Sequence, residues 1–305
     1  MSSTNNIAGV EQGSTPLPFP HTVEYPSAHL TLPIHQHDCS LCTAEASRYA
    51  KEVEDRLTHE VKIAAMLQRT LFPDLVSRVD GLAISVAYQA GDSEAEVGGD
   101  FYDVFEVTPS KVAVVLGDVC GKGLAAAAQV SMVRIMLRYA LYRCEEPARA
   151  LSELNAVVID RKLLTDFVTL FVAVYDTSSS TLEYASCGHE PALIVRPGSP
   201  VTIELLLPTG PIMGVDIDAA IGSSTRRFGE GDSIIAFSDG LVECGPQRCE
   251  LLGVARTIYA IRDLDHGYTA DDIARKIYDA ARGRAGEFAD DICLLVGQAL
   301  IEKKN

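Results

Sequence analysis

Val112-Ala113-Val114-Val115-Leu116-Gly117-Asp118-Val119-Cys120-Gly121-Lys122-Gly123 passes from an unbroken apolar run into an aspartate set among glycines. The apolar half reads as a strand buried on both faces. The aspartate stands where that strand stops. Three other places share the design: Gly98-Gly99-Asp100-Phe101-Tyr102-Asp103, Phe237-Ser238-Asp239-Gly240 and Ala289-Asp290-Asp291-Ile292. Small residues beside a strand-end aspartate let backbone and side-chain oxygens converge on a small volume. Hard cations such as Mg2+ and Mn2+ take oxygen ligands of that kind. Carboxylates gathered so closely would repel one another unless a cation neutralised them. Singly, each aspartate–glycine junction reads as a turn; the four together, in this order, read as one site.

Outward from these junctions the chain alternates strands and helices. Leu82, Ile84, Val86 and Tyr88 alternate as a half-buried strand does, while Phe167 to Tyr175, Ser233 to Phe237 and Ile292 to Val296 are denser apolar runs. A short polar turn joins Phe167–Tyr175 to Thr181–Ser186, which predicts an antiparallel hairpin. Helices are expected at 124–143, 147–161 and 270–282, the last opened by Thr269-Ala270-Asp271-Asp272 as a capping box and stopped at Gly283. The pattern is α+β with at least part of the sheet antiparallel.

The N-terminal part differs. Prolines 16, 18, 20, 26 and 33 punctuate a Ser/Thr/Asn/Gly-rich stretch that predicts a flexible arm over 1–42. Ala46, Ala50, Val53, Leu57, Ala64, Leu67 and Leu71 then fall on one helical stripe, with Glu60 in the seam and Pro73 ending it. So narrow a stripe suits one partner helix, either from a second subunit or from the chain's own domain.

Composition narrows the field. With 42 acidic against 26 basic residues the net charge is −16, and no basic stretch offers the positive footprint of a nucleic-acid or anionic-membrane binder. The longest apolar run, Leu124 to Tyr142, is interrupted by Gln129, Arg134 and Arg138. Eight cysteines in 305 residues do not make a compact disulfide scaffold, so a reducing cytoplasm is expected.

The segments 64–73 (Ala-Ala-Met-Leu-Gln-Arg-Thr-Leu-Phe-Pro), 98–103, Gly117 to Gly123, Ser186-Cys187-Gly188-His189, Gly210-Pro211-Ile212-Met213-Gly214, Ser238-Asp239-Gly240-Leu241-Val242-Glu243 and Asp290-Asp291-Ile292 resemble the bacterial SpoIIE/RsbU branch of the PPM (2C-type) protein phosphatases, over roughly 64–298. The resemblance implies a four-layer α-β-β-α sandwich of two antiparallel sheets flanked by helices, preceded by a long N-terminal helix. It divides the chain into the arm (1–42), a helical linker and candidate dimerisation helix (43–73) and a phosphatase domain (74–301). It implies two divalent cations, Mn2+ or Mg2+: Asp118 bridging both, the Val119 carbonyl on one, Asp239 and Asp290 on the other, and Asp100 beside them directly or through water. Asp100, Asp118 and Asp239 are the catalytic set it implies, and Asp291 is the alternative to Asp290. The implied substrate is phosphoserine or phosphothreonine on a protein, of the STAS-type anti-sigma factor antagonist class. The arginine that the eukaryotic branch places before the first aspartate is absent; Glu94-Ala95-Glu96 stands there.

Weaker signals divide similarly. Lys122 is either a phosphate contact or a solvated loop lysine. His189 is either a proton donor to the leaving serine or a residue of a structural turn. His35, His37, Cys39 and Cys42 form either a zinc or redox site or the polar end of the arm. Cys42 to Arg48 has the C-x5-R spacing of cysteine-dependent phosphatases without the glycines of a phosphate cradle. Two rival functions also fit an aspartate cluster: a catalytically silent module that captures a phosphorylated partner, and another two-metal enzyme such as a nucleotide cyclase.

Overall fold

The computed structural model describes residues 47–56, 59, 78–79, 81–89, 98–245, 251–264, 267–285, 288 and 290–300. Two sheets carry the fold. One has six strands in the order β1 (Arg78–Val79), β2 (Leu82–Gln89), β11 (Ile292–Ala299), β10 (Ser233–Phe237), β7 (Ala192–Arg196) and β8 (Thr202–Leu206). The other has five, in the order β3 (Asp100–Thr108), β4 (Lys111–Val119), β5 (Val168–Asp176), β6 (Thr181–Cys187) and β9 (Ser224–Arg227). Neighbouring strands pair antiparallel throughout, including the β5–β6 hairpin expected from the sequence.

Strand alternation sorts the apolar residues into three layers. Val112, Val114 and Leu116 of β4 face Ile234, Ala236, Cys293 and Leu295 of the other sheet, forming the core between the sheets. Ala113 and Val115, one residue out of phase, pack under α2 (Gly123–Cys144) and α3 (Pro147–Asp160). Ile235, Phe237, Leu294 and Val296 pack under α4 (Asp239–Val242), α5 (Gly253–Ile261) and α6 (Ala270–Ala285). Because both faces of each central strand are covered, those strands read as continuous apolar runs. The result is the α-β-β-α sandwich.

The polar interruptions of the 124–142 run have partners. Arg138 makes a bidentate pair with Asp103, at 2.6 and 3.1 Å, and Arg134 approaches the same carboxylate at 3.5 Å. Gln129 accepts the Thr165 N–H at 2.9 Å. By length and composition α2 could cross a bilayer, but its Ala126, Val130, Val133, Leu137 and Leu141 are buried in this fold.

The Thr269–Asp272 capping box forms as expected: the Thr269 hydroxyl and N–H donate to the Asp272 carboxylate at 2.8 and 3.0 Å, and Asp272 N–H returns to Thr269 Oγ1 at 3.2 Å. Gly283 does not stop the helix, which continues to Ala285. A glycine ends a helix by taking a positive φ, and Gly283 is not among the glycines that do. Residues 47–56 are helical (α1) and solvent-exposed, Ala50 and Val53 of the predicted stripe included. The rest of that stripe, Pro73, and the His35–Cys42 cluster lie outside the described residues.

Candidate metal centre

The site is built where the inter-sheet face outlasts its apolar side chains. In β3, Val104 and Tyr102 face the core, and the next residue of that phase is Asp100. In β4 the series Val112, Val114, Leu116 is continued by Asp118. The two aspartates stand opposite each other in register, and Asp118 is in turn opposite Thr169 of β5. Across the gap β10 ends at Phe237, Ser238 caps α4, and Asp239 is that helix's first residue. Ser238 N–H donates to the Cys293 carbonyl at 2.9 Å and Cys293 N–H to Ser238 Oγ at 3.0 Å. That reciprocal pair fixes Asp239 relative to Asp290 and Asp291, which precede β11.

Asp100, Asp118 and Asp239 each offer a carboxylate oxygen within 4.8 Å of the others. They line a cleft of about 330 Å3 together with Gly98, Gly99, Cys120, Gly121, Lys122, Phe167, Thr169, Asp290 and Asp291. Asp290 sits at the exposed edge, its side chain 59% accessible and its carboxylate 3.4 Å from Lys122 Nζ. So exposed a pair contributes little to stability, but it places the lysine beside the acids.

The electrostatics are those of crowded carboxylates. Burial, then Asp118, pushes the Asp100 carboxyl well above its usual range, against a hydrogen bond from the Ser238 hydroxyl. Burial, then Asp239, Asp290 and Asp291, pushes Asp118 up to about 7. Burial also raises Asp239, partly offset by the Gly240 N–H. Asp100 Oδ2 is buried without a hydrogen-bond partner, an arrangement that costs free energy unless something else satisfies it.

A divalent cation fits these features. The donors are all oxygens, as hard cations require. Space is kept for one: a Cβ on Gly99 would run into the Val119 carbonyl oxygen and Asp118 Oδ1, so the glycine leaves both facing the same small volume. A Cβ on Gly98 would strike the Asp291 carboxylate.

His189 is 3% exposed, its Nδ1 2.8 Å from Thr169 Oγ1, and burial holds its pKa down to about 4. The ring is packed behind Thr169 and is not among the residues that line the cleft. Sequence reasoning did not single out Thr169, Phe167 or Cys120. Thr169 is two residues before the core residue Phe171 and shares its phase, a signal that becomes readable only once the β4–β5 register is known.

A sandwich of two antiparallel sheets with carboxylates at the open end of its core is the fold of the PP2C-type (PPM) phosphatases. The SiaA-PP2C domain of Pseudomonas aeruginosa aligns with a TM-score of 0.67 at 19% identity, over 82% of this chain and 98% of that domain. RsbX, solved in complex with magnesium, aligns with a TM-score of 0.55 at 14% identity, over 73% of this chain and 97% of that one. The chain belongs to the SpoIIE family, whose model (Stage II sporulation protein E) matches residues 108–299. That stretch holds Asp118, Asp239 and Asp290; Asp100 precedes it. Phosphoserine phosphatase RsbU of Bacillus subtilis (strain 168) is 29% identical over 195 residues, 63% of this chain and 56% of that relative's length.

Proposed function

We propose that the chain is a Mn2+- or Mg2+-dependent phosphatase that hydrolyses phosphoserine or phosphothreonine on a protein. The observation that carries this is the meeting of Asp100, Asp118 and Asp239, from opposite sheets, within 4.8 Å of one another. Asp118, Asp239, Asp290 and the Val119 carbonyl would hold two divalent cations, and Asp100 would act on them directly or through water. Bound there, divalent cations would bring a water's pKa toward neutrality and offset charge on the phosphoryl oxygens.

The remaining work falls to the chain. Unneutralised, the acidic cluster repels a phosphate dianion, so substrate enters only when the site's charge has been balanced. Phe167 and the Gly98–Gly99 backbone wall the cleft, and Lys122 stands at its mouth beside Asp290. Hydrolysis forms a P–O bond to the water oxygen as the P–O bond to the serine oxygen breaks, and a water proton ends on the released hydroxyl.

Family membership and the likeness to RsbU support a phosphoprotein substrate, of the STAS-type antagonist class in a partner-switching pathway. A homodimer through the 43–71 helix is part of the same reading. The test is phosphate release from a phosphorylated STAS-domain protein by the purified chain with Mn2+. Asp118→Asn and Asp239→Asn should each abolish turnover, and an undiminished rate in excess chelator rejects the mechanism.

A further inference from the structure

We infer that Lys122 is a substrate-binding residue of the cleft, one that exchanges its present partner, the Asp290 carboxylate, for a phosphoryl oxygen of the substrate. The inference rests on the phosphatase reading. Among the described residues that line the cleft, Asp100, Asp118, Asp239, Asp290 and Asp291 are carboxylates, and Lys122 is the one cationic side chain. Ionised carboxylates offer a phosphate no hydrogen and repel its charge. An ammonium group offers three donors and a positive charge.

The backbone fixes where that charge stands. Cys120, Gly121 and Lys122 are all the chain between the end of β4 and the start of α2. Gly121 and Gly123 take φ of +120° and +81°, conformations that a side chain at either position would strain. Lys122 between them is extended, at φ −136° and ψ 162°. Of these three consecutive residues, 121 to 123, only the lysine has a side chain to present. Its Nζ lies 3.4 Å from the Asp290 carboxylate. Lys122 follows a strand of the five-stranded sheet and Asp290 precedes a strand of the six-stranded one, so the ammonium group reaches across the mouth of the cleft.

The present pair is loose. At 3.4 Å, with the two side chains 48% and 59% exposed, it contributes little, so giving it up costs little. Asp290 is also one of the residues proposed to hold a cation. With its charge committed there, its hold on the lysine weakens, and a divalent neighbour repels the ammonium group. The lysine stays tethered at the cleft, where the phosphate dianion is the anion left to pair, and its flexible stem lets it follow. Bound substrate and transition state both carry that phosphoryl group. The contact therefore strengthens binding and leaves the chemical step much as it was.

The experiment compares wild type, Lys122→Gln and Lys122→Arg in the full chain with Mn2+ saturating. The probes are p-nitrophenyl phosphate as substrate and inorganic phosphate as ligand. Lys122→Gln should raise KM for the substrate, and the Kd of inorganic phosphate by calorimetry, each by about tenfold, with kcat within about twofold. Lys122→Arg, which keeps the charge, should recover most of both. Calorimetry with Mn2+ alone should find binding to Lys122→Gln as tight as to wild type or tighter, since Asp290 is no longer shared. Wild-type KM and phosphate affinity in Lys122→Gln would make the lysine a counter-ion to Asp290 alone and overturn the role. Mn2+ binding weakened in step with KM would overturn it too, by placing the effect on the metal site. A wild type that releases no phosphate overturns the underlying phosphatase reading instead, and the inorganic phosphate titration tells the two failures apart.

Discussion

Asp100 and Asp103 show how much one residue of phase decides. They fall in one sequence motif, yet Asp100 faces the cleft and Asp103 the opposite side, where Arg134 and Arg138 neutralise it. Gly99 is as constrained as either, because a methyl there fills the space between the Val119 carbonyl and Asp118. Gly99→Ala should cut phosphate release by about 10- to 100-fold, the usual scale for disturbing groups that support a metal site. In a thermal melt, Mn2+ should raise the melting temperature of wild type and leave the variant's unchanged. His189 makes a different prediction. Its pKa falls from 6.5 in the open chain to about 4 in the fold, so below pH 6.5 the unfolded chain takes up a proton that the native ring refuses. Stability is whole above pH 6.5 and declines as pH drops toward 4, by roughly 3 kcal/mol at the limit. Urea melts at pH 7 and pH 4.5 should show that increment in wild type and not in His189→Gln. An equal acid loss in both proteins would assign it elsewhere.

At the scale of elements, α2 is held to β3 by charge as well as by its apolar side. Asp103 is 1% exposed and bidentate to Arg138. The Arg138 side chain is 35% exposed and can turn to water while Arg134, at 15%, is more confined, so Asp103→Ala should destabilise the fold by about 1–3 kcal/mol. Chemical denaturation would read this directly, and Asp103→Ala melting like wild type would mean that the arginines find water instead. Asn155 of α3 performs a comparable task by neutral hydrogen bonds: Nδ2 donates to the Asp216 carbonyl at 2.8 Å and Oδ1 accepts Gly214 N–H at 3.0 Å. These bonds fix the segment in which Met213 pairs with Val168, beside Thr169. Much of this scale was legible beforehand. The capping box at Thr269, the strands from Val112, Phe167, Ser233 and Ile292, and the β5–β6 hairpin all follow from local pattern. The partners of Arg134, Arg138 and Asn155 were not, because 31 to 61 residues separate each from the group it meets, and local pattern carries no information at that range.

Across the whole molecule, Asp100, Asp118, Asp239, Asp290 and Asp291 come together in one cleft at an end of the sandwich. The same end gathers residues from 98 to 291, so the site exists only when both sheets are assembled. A homodimer through the predicted 43–71 stripe is part of the proposed function and has its own test. Removing residues 1–60 should change the oligomeric state in light scattering or the basal rate of phosphate release. If neither moves, that helix has a structural role alone.

Sequence by itself determined the class of fold, the four acidic junctions and the oxygen-donor chemistry, since these depend on residue type, alternation and short spacings. Tertiary structure decided the rest: that Asp100, Asp118 and Asp239 form the tight group while Asp290 stands at the edge, that Asp103 is turned away, and that Thr169 joins the row with His189 behind it. Those outcomes depend on strand register and on the packing of one sheet against the other. Both are properties of contacts between distant parts of the chain, and no local stretch of residues encodes them.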